Sequence, residues 1–120
     1  MHFSLTTVLA FAASASACYG GGQAWGNSRL DALRLAEEQC REWNWVEFNG
    51  GENKYGCKNM GGGVRVDFRM RNGDNGGPRR TLDYATCIHF LKNPITNCNF
   101  GGEDNEGAWR PRADPNVGSC

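Results

Sequence analysis

The chain has 120 residues, of which 13 are basic and 13 acidic, so its formal net charge is zero. A neutral chain carries no electrostatic footprint for a polyanion, and we expect no nucleic-acid partner. Six cysteines and 17 glycines in so short a chain are typical of a small exported domain held together by disulfides.

Residues 1–17 contain no Asp, Glu, Lys or Arg and are mainly apolar or small. Ala15 and Ala17 stand at the positions that signal peptidase prefers, just before the first cysteine. The sequence therefore predicts a signal peptide over 1–17, cleavage before Cys18 and a secreted, extracellular domain over 18–120. The apolar run is too short to cross a bilayer, so we expect no membrane span.

The first predicted element after this segment is a helix. It begins at Asn27 and Ser28 as N-cap, with Asp31 completing a capping box, and runs to about Trp43. Its apolar side chains recur at helical spacing, with charged residues on the opposite side. These apolar residues are Leu33, Ala36, Cys40 and Trp43. Cys40 is therefore expected to point inward.

Three strands are predicted next. A strand at Trp45–Phe48, a turn at Asn49–Gly51 and a return strand at Asn53–Lys58 have the pattern of a hairpin. A further turn at Gly61–Gly63 precedes a strand from Val64 to Arg71, in which apolar and charged residues alternate. One face of this last strand is expected to be buried and the other charged and solvated.

A second helix is predicted from Leu82 to about Lys92, with Thr81 as its cap and Asn93–Pro94 as its end. Cys87 lies in its apolar stripe. His89 falls away from that stripe, and we expect it on the solvent side.

The remainder of the chain is predicted as short strands and loops. Cys98–Phe100 has the pattern of a short strand, and Gly101–Gly107 that of an acidic, glycine-rich loop. A last strand is expected over Ala108–Arg112, weakened by Pro111, and a turn over Asp114–Asn116.

This order of elements predicts an α+β fold, a single-domain αβ sandwich in which two helices pack against a small, mostly antiparallel sheet. Three disulfides would stabilise it, although six cysteines allow many pairings. The pairing that we consider first is Cys18–Cys57, Cys40–Cys87 between the two helices, and Cys98–Cys120 around the final loop. The gaps between the cysteines hold no C-x-x-C pair, so we expect no metal and no cofactor.

Catalytic groups are scarce. His89 is the one histidine beyond residue 17, and no thiol is free if all six cysteines pair, which disfavours a nucleophile with its base. Two enzymatic alternatives stay open: a glycosidase using Glu103, Asp104 and Glu106, and a small ribonuclease using His89 with an Arg and a Glu. Acids in a glycine-rich loop are usually just solvated, and we expect no catalytic residue. The spacing of the same acids does not match a calcium loop.

A ligand site is predicted around Trp109, which follows the polar loop. Its neighbours in the chain are Arg110, Arg112, Asp114 and Asn116. A sugar ring offers an apolar C–H face and a rim of hydroxyls, so an exposed aromatic ring beside such donors and acceptors suits it. These five residues are our candidate carbohydrate-binding site.

The tail Trp109–Cys120, preceded by Cys87-x10-Cys98 and Gly101-Gly102, resembles that of small secreted fungal proteins related to a mushroom glycan-binding lectin. Its ending, Asp-Pro-Asn-x-Gly-x-Cys, is the most specific part of the likeness. A weaker similarity extends over Cys18, the first helix and Lys54–Cys57. The resemblance implies a disulfide-stabilised αβ sandwich that binds extracellular glycans without catalysis.

The layout also resembles that of cysteine-bridged, glycine-rich killer toxins and effectors of fungi. Our leading hypothesis is a secreted, non-enzymatic, lectin-like protein whose partners are extracellular glycans or glycoproteins. An effector or toxin that acts on a protein target is the alternative, and a secreted ribonuclease is the third. The sequence alone predicts no oligomeric state.

Overall fold

The computed structural model describes residues 17–120, so the predicted signal peptide lies, except for Ala17, outside the described residues. In chain order the strands and helices are β1 (Ala17–Cys18), α1 (Arg29–Glu42), β2 (Val46–Phe48), β3 (Asn53–Gly61), β4 (Val64–Asn72), β5 (Arg80–Leu82), α2 (Tyr84–Thr96), β6 (Gly102–Glu103) and β7 (Trp109–Val117). The order β1-β6-β7-β4-β3 forms one antiparallel sheet, and β2 pairs with β5 in a separate ribbon. The predicted α+β fold is confirmed. Neither helix within this range is long and apolar enough to cross a membrane.

The alternation along β4 sorts its side chains into two faces, as predicted. Val66, Phe68 and Met70 are buried, whereas the charged residues between them are half-exposed. The buried side chains form one core with both helices, because residues such as Leu35 of α1 and Leu91 of α2 belong to the same cluster. Both helices therefore pack on one face of the sheet, and the polar side chains of β4 occupy the other.

The predicted hairpin between residues 45–48 and 53–58 is wrong. The strand β3 pairs with β4 through a tight turn in which Gly62 and Gly63 have φ values of 65° and 78°. Positive φ at both central residues is the requirement of a two-residue type I′ turn, which glycine meets at no steric cost. The loop at Gly50 packs instead on the loop before β5, since a Cβ on Gly50 would lie 2.6 Å from the carbonyl oxygen of Gly77. That close approach directs β2 toward β5.

The last strand is longer than predicted. Residues 109–117 form one continuous strand, so neither the end at Arg112 nor the turn at Asp114–Asn116 is correct. The carbonyl oxygen of Pro111 accepts a hydrogen bond from the backbone N–H of Asp104, on the side away from β4. Because N and C=O of one residue point to the same side of a strand, Pro111 and Pro115 turn their missing N–H groups away from β4. The ladder with β4 is therefore intact.

The helix termini also depart from the predictions. Ser28 ends a short 3₁₀ turn (Gly26–Ser28), and its side chain makes no capping bond, since its backbone lacks the extended conformation of an N-cap. The cap of α2 is Asp83, whose carboxylate accepts the backbone N–H of Thr86 at 2.8 Å. Thr81, the predicted cap, lies in β5.

The end of α2 lies beyond the predicted stop at Asn93–Pro94. The helix continues to Thr96 with Pro94 inside it. Pro94 is fully buried, and its carbonyl oxygen accepts a hydrogen bond from Nε1 of the buried Trp25 at 3.2 Å. This packing holds the last turn in place despite the missing N–H.

The three disulfides are Cys18–Cys98, Cys40–Cys87 and Cys57–Cys120. The predicted bridge between the helices is confirmed, and the predicted pairs Cys18–Cys57 and Cys98–Cys120 are wrong. Cys18 belongs to β1 and Cys57 to β3, the two opposite edges of the five-stranded sheet. Four strand spacings amount to about 19 Å, far beyond the ~7 Å that a disulfide can bridge between Cα atoms.

Candidate functional site: the open face of the sheet

The face of the five-stranded sheet opposite the helices is lined by polar side chains, and we call it the open face. Its members on β4 and β7 alternate with the buried residues of those strands, and Tyr55 of β3 shares their face because it stands opposite Arg69. They are Tyr55 of β3, Arg65, Asp67, Arg69 and Arg71 of β4, Glu103 of β6, and Arg110, Arg112, Asp114 and Asn116 of β7. The structure thus brings together four of the five residues predicted as a ligand site.

Trp109, the fifth predicted site residue, lies on the other face. It stands opposite the buried Asn72, and its ring packs edge-on against Phe48 with the ring centroids 5.2 Å apart. The continuous strand β7 explains this separation, because successive side chains point to opposite faces. The structure therefore does not bring Trp109 together with the arginines of the predicted site.

The exposed aromatic residue on the strands of the open face is Tyr55, which is not among the residues predicted as a ligand site. Its side chain is 70% exposed. Tyr55 faces outward because the next residue, Gly56, faces α1, and successive residues of a strand point to opposite faces. The predicted pairing of that strand with β2, which is wrong, does not place Tyr55 beside the arginines of β4.

A single row of residues crosses four strands of the open face. Tyr55 stands opposite Arg69, Arg69 opposite Arg112, and Arg112 opposite Glu103. Tyr55, Arg69 and Arg112, together with Asp67, line a depression of about 330 Å³. An aromatic ring, two guanidinium groups and a carboxylate therefore border one concave surface.

A hydrogen-bonded network fixes the acidic part of this surface. Asp67 and Asp114 stand opposite each other, and the side-chain amide of Asn116 donates to both, at 2.7 Å and 3.2 Å. Each carboxylate also has its own arginine: Arg65 lies 3.0 Å from Asp67, and Arg112 lies 3.3 Å from Asp114. The side chains are thereby held in place before any ligand arrives.

The far end of the row is closed by Tyr19. Its hydroxyl donates to Oε2 of Glu103 at 2.8 Å. Burial and this hydrogen bond raise the pKa of Tyr19 to about 12, so its hydroxyl remains a donor at physiological pH. Glu103 also lies 3.7 Å from Arg69, which completes the link across the sheet.

A second depression, of about 350 Å³, adjoins the first. Arg69 borders both, and Arg71 and Arg110 line the second. Asp104 also lines it, but this carboxylate is buried, and its Oδ2 accepts from the amide of Asn93 at 2.8 Å. Glu103 is the other carboxylate of this depression, so three guanidinium groups and two carboxylates border it.

The residues considered for catalysis lie in two places: Glu103 and Asp104 both line the second depression, and His89 lies on α2. Glu103 and Asp104 are engaged as described, and among residues 17–120 no group of three or more potential metal ligands is found. His89 is exposed on α2, with its ring centroid 5.4 Å from that of Phe90. Because α2 packs on the opposite face, His89 lies away from the arginines of the open face.

Comparisons with known proteins give no family for this chain. No protein-family model matches it, and no match was found among curated proteins. The chemistry of the open face is therefore the ground for a functional proposal.

Proposed function

We propose that the protein is a secreted, non-enzymatic glycan-binding protein that holds its ligand on the open face. The observation that carries this proposal is the row Tyr55–Arg69–Arg112, in which a 70% exposed aromatic ring continues into hydrogen-bonding side chains along one depression. A sugar ring packs its C–H face on an aromatic side chain, and its hydroxyls pair with charged donors and acceptors. The row spans two strand spacings, about 10 Å, which accommodates a short oligosaccharide.

The rigidity of the surface supports a binding role. Tyr55, Arg69 and Arg112 project from neighbouring strands rather than from loops, and the Asn116 network fixes the adjacent carboxylates. A site that is ordered before binding loses less conformational entropy when the ligand arrives. The open face therefore favours binding of a ligand without rearrangement of the fold.

Extracellular location is part of the same proposal. Three disulfides and no free cysteine among the described residues fit an oxidising compartment. The predicted signal peptide and the resemblance of the tail to fungal glycan-binding lectins support the same location. Four polar residues of that tail, from Arg110 to Asn116, belong to the open face.

The test is a glycan array probed with the oxidised protein, together with two variants. Tyr55→Ala is expected to weaken binding about tenfold, because stacking on the ring is lost. Trp45→Ala is the matched control, since Trp45 is also 70% exposed but lies outside the open face, between α1 and β2. Circular dichroism verifies that both variants are folded. Absence of binding to every glycan, or equal losses in the two variants, would overturn the proposal.

A further inference from the structure

We propose that the glycan is anionic, and that four arginines of the open face bind its carboxylate or sulfate groups. Arg69, Arg71, Arg110 and Arg112 form this set, which we call the arginine quartet. The inference rests on the proposed function and names the chemical class of its ligand. Neutral sugars would use the tyrosine end alone.

The register of the sheet brings the quartet together. Arg69 stands directly opposite Arg112, and Arg71 directly opposite Arg110, in two neighbouring rows of β4 and β7. Directly opposed residues have Cβ atoms about 5 Å apart, and like charges in such positions destabilise a sheet. The next row also opposes like charges, Asp67 and Asp114. Exchanging partners between rows would pair opposite charges, so stability of the sheet does not explain this arrangement.

The positive charge of the quartet is only partly compensated. Arg69 has Glu103 at 3.7 Å and Arg112 has Asp114 at 3.3 Å. Arg71 and Arg110 form no ion pair with any described residue. Arg71 donates to the side-chain amide oxygen of Asn75, and Arg110 to the carbonyl oxygens of Gly107 and Trp109, all of which are neutral acceptors. Two guanidinium groups at this end of the sheet are thus free of a direct ion pair, although the carboxylates of Glu103 and Asp104 line the same depression.

The shape of the surface fits a ligand whose charged group lies a short distance from the sugar ring that stacks on Tyr55. Arg71 and Arg110 line the depression of about 350 Å³, and Arg69 connects it with the depression beside Tyr55. A guanidinium has five N–H donors, so Arg71 and Arg110 keep donors free for a ligand. Carboxylate and sulfate oxygens match the planar fork of arginine, and such charge-assisted bonds are about twice as strong as neutral ones.

The experiment compares three galactose-based oligosaccharides of equal length, one neutral, one made of galacturonic acid and one sulfated, by titration calorimetry. The wild-type protein is expected to bind at least one anionic oligosaccharide about tenfold more tightly than the neutral one. R71Q/R110Q is expected to bring that ratio to about one, whereas R71K/R110K, which keeps the charge but loses the fork, retains part of it. The double substitution R34Q/R79Q removes the same charge from exposed arginines outside the open face and should leave the ratio unchanged.

The outcomes separate this inference from the proposed function. Preference for the uronate or for the sulfated oligosaccharide supports it and identifies the source of the charge. Equal affinity for all three oligosaccharides, with binding still lost in Tyr55→Ala, overturns the anionic ligand and keeps glycan binding. Binding of sulfated dextran and polyphosphate alike, unaffected by Tyr55→Ala, overturns the glycan proposal itself. An equal loss of the ratio in R34Q/R79Q would also overturn the role of the quartet.

Discussion

Gly56 of β3 lies directly against the buried amide of Gln39 in α1. A Cβ on Gly56 would lie 1.9 Å from Oε1 of Gln39, and Gln39 is only 3% exposed. The helix and the strand therefore approach each other at a position of β3 that has no side chain. Since Tyr55 precedes Gly56, this contact also determines where the aromatic ring of the open face stands.

Gly56→Ala is expected to lower the free energy of unfolding by about 1–3 kcal/mol, because the added methyl group overpacks the interface with α1. In the Gln39→Ala background the same substitution should cost much less, and urea denaturation of the four proteins measures this coupling. Gly21→Ala serves as control, as a Cβ there meets no atom within 4 Å. Additive losses from the two substitutions would show that the contact does not limit the approach.

The three disulfides are expected to contribute unequally. They close separations of 80, 47 and 63 residues, so the loss of loop-closure entropy, about 4 kcal/mol each, differs little between them. Cys40 and Cys87 are fully buried, whereas Cys120 is exposed. C40A/C87A should therefore be less stable than C57A/C120A by about 1–2 kcal/mol, because it also leaves a cavity. Thermal unfolding under oxidising conditions gives the order, and the reverse order would contradict this account.

Tyr19 is expected to titrate at about pH 12 in the folded protein. Its raised pKa means that folding favours the neutral phenol, so this contribution to stability is complete below pH ~10 and is lost as the pH rises toward 12. The ultraviolet absorbance of tyrosinate, recorded as wild type minus Tyr19→Phe, isolates this titration. Glu103→Gln should shift it downward, because the negative charge beside the hydroxyl is removed. An unperturbed titration at pH ~10 in the wild type would be inconsistent with the hydrogen bond.

Asn72 is expected to be the most sensitive polar residue of the core. Its side-chain amide donates to the carbonyl oxygens of Phe48 and Pro78, and its oxygen accepts the backbone N–H of Asp74. Asn72→Ala should lower the free energy of unfolding by about 2–4 kcal/mol, since buried partners lose their hydrogen bonds. Asn105→Ala, on an exposed loop, should stay within ~0.5 kcal/mol. Chemical denaturation measures both, and a small loss at Asn72 would show that water replaces the amide.

Local periodicity predicts the structural features that depend on residues close together in the sequence. The alternation in β4 identified its buried face, and the inward positions of Cys40 and Cys87 on two helices identified their disulfide. The pairing of strands that are far apart in the sequence was harder to predict. The partner of β2 depends on the close approach of Gly50 to Gly77, which no periodicity records.

The candidate site was predicted in part for the same reason. The polar residues of β7 were recognised by their chemistry, but Trp109 was assigned to them because it is near in sequence. The strand predicted over Ala108–Arg112 already implies that Trp109 points away from Arg110 and Arg112, because successive side chains alternate between faces. The predicted turn concealed only that Asp114 and Asn116 share the face of the arginines. Tyr55 can be assigned to the site only when β3 is paired with β4, which places it opposite Arg69.

The two prolines of β7 also determine which arginines meet. A shift of β7 by one residue along β4 would turn the nitrogen atoms of Pro111 and Pro115 toward β4, where each would remove a hydrogen bond of the ladder. The two prolines, whose side chains lie on the buried side of the sheet, thus fix the register of β7 against β4. Replacing them would allow β7 to shift along β4. Such a shift would change which charged residues stand opposite each other on the open face, although no residue of that face is substituted.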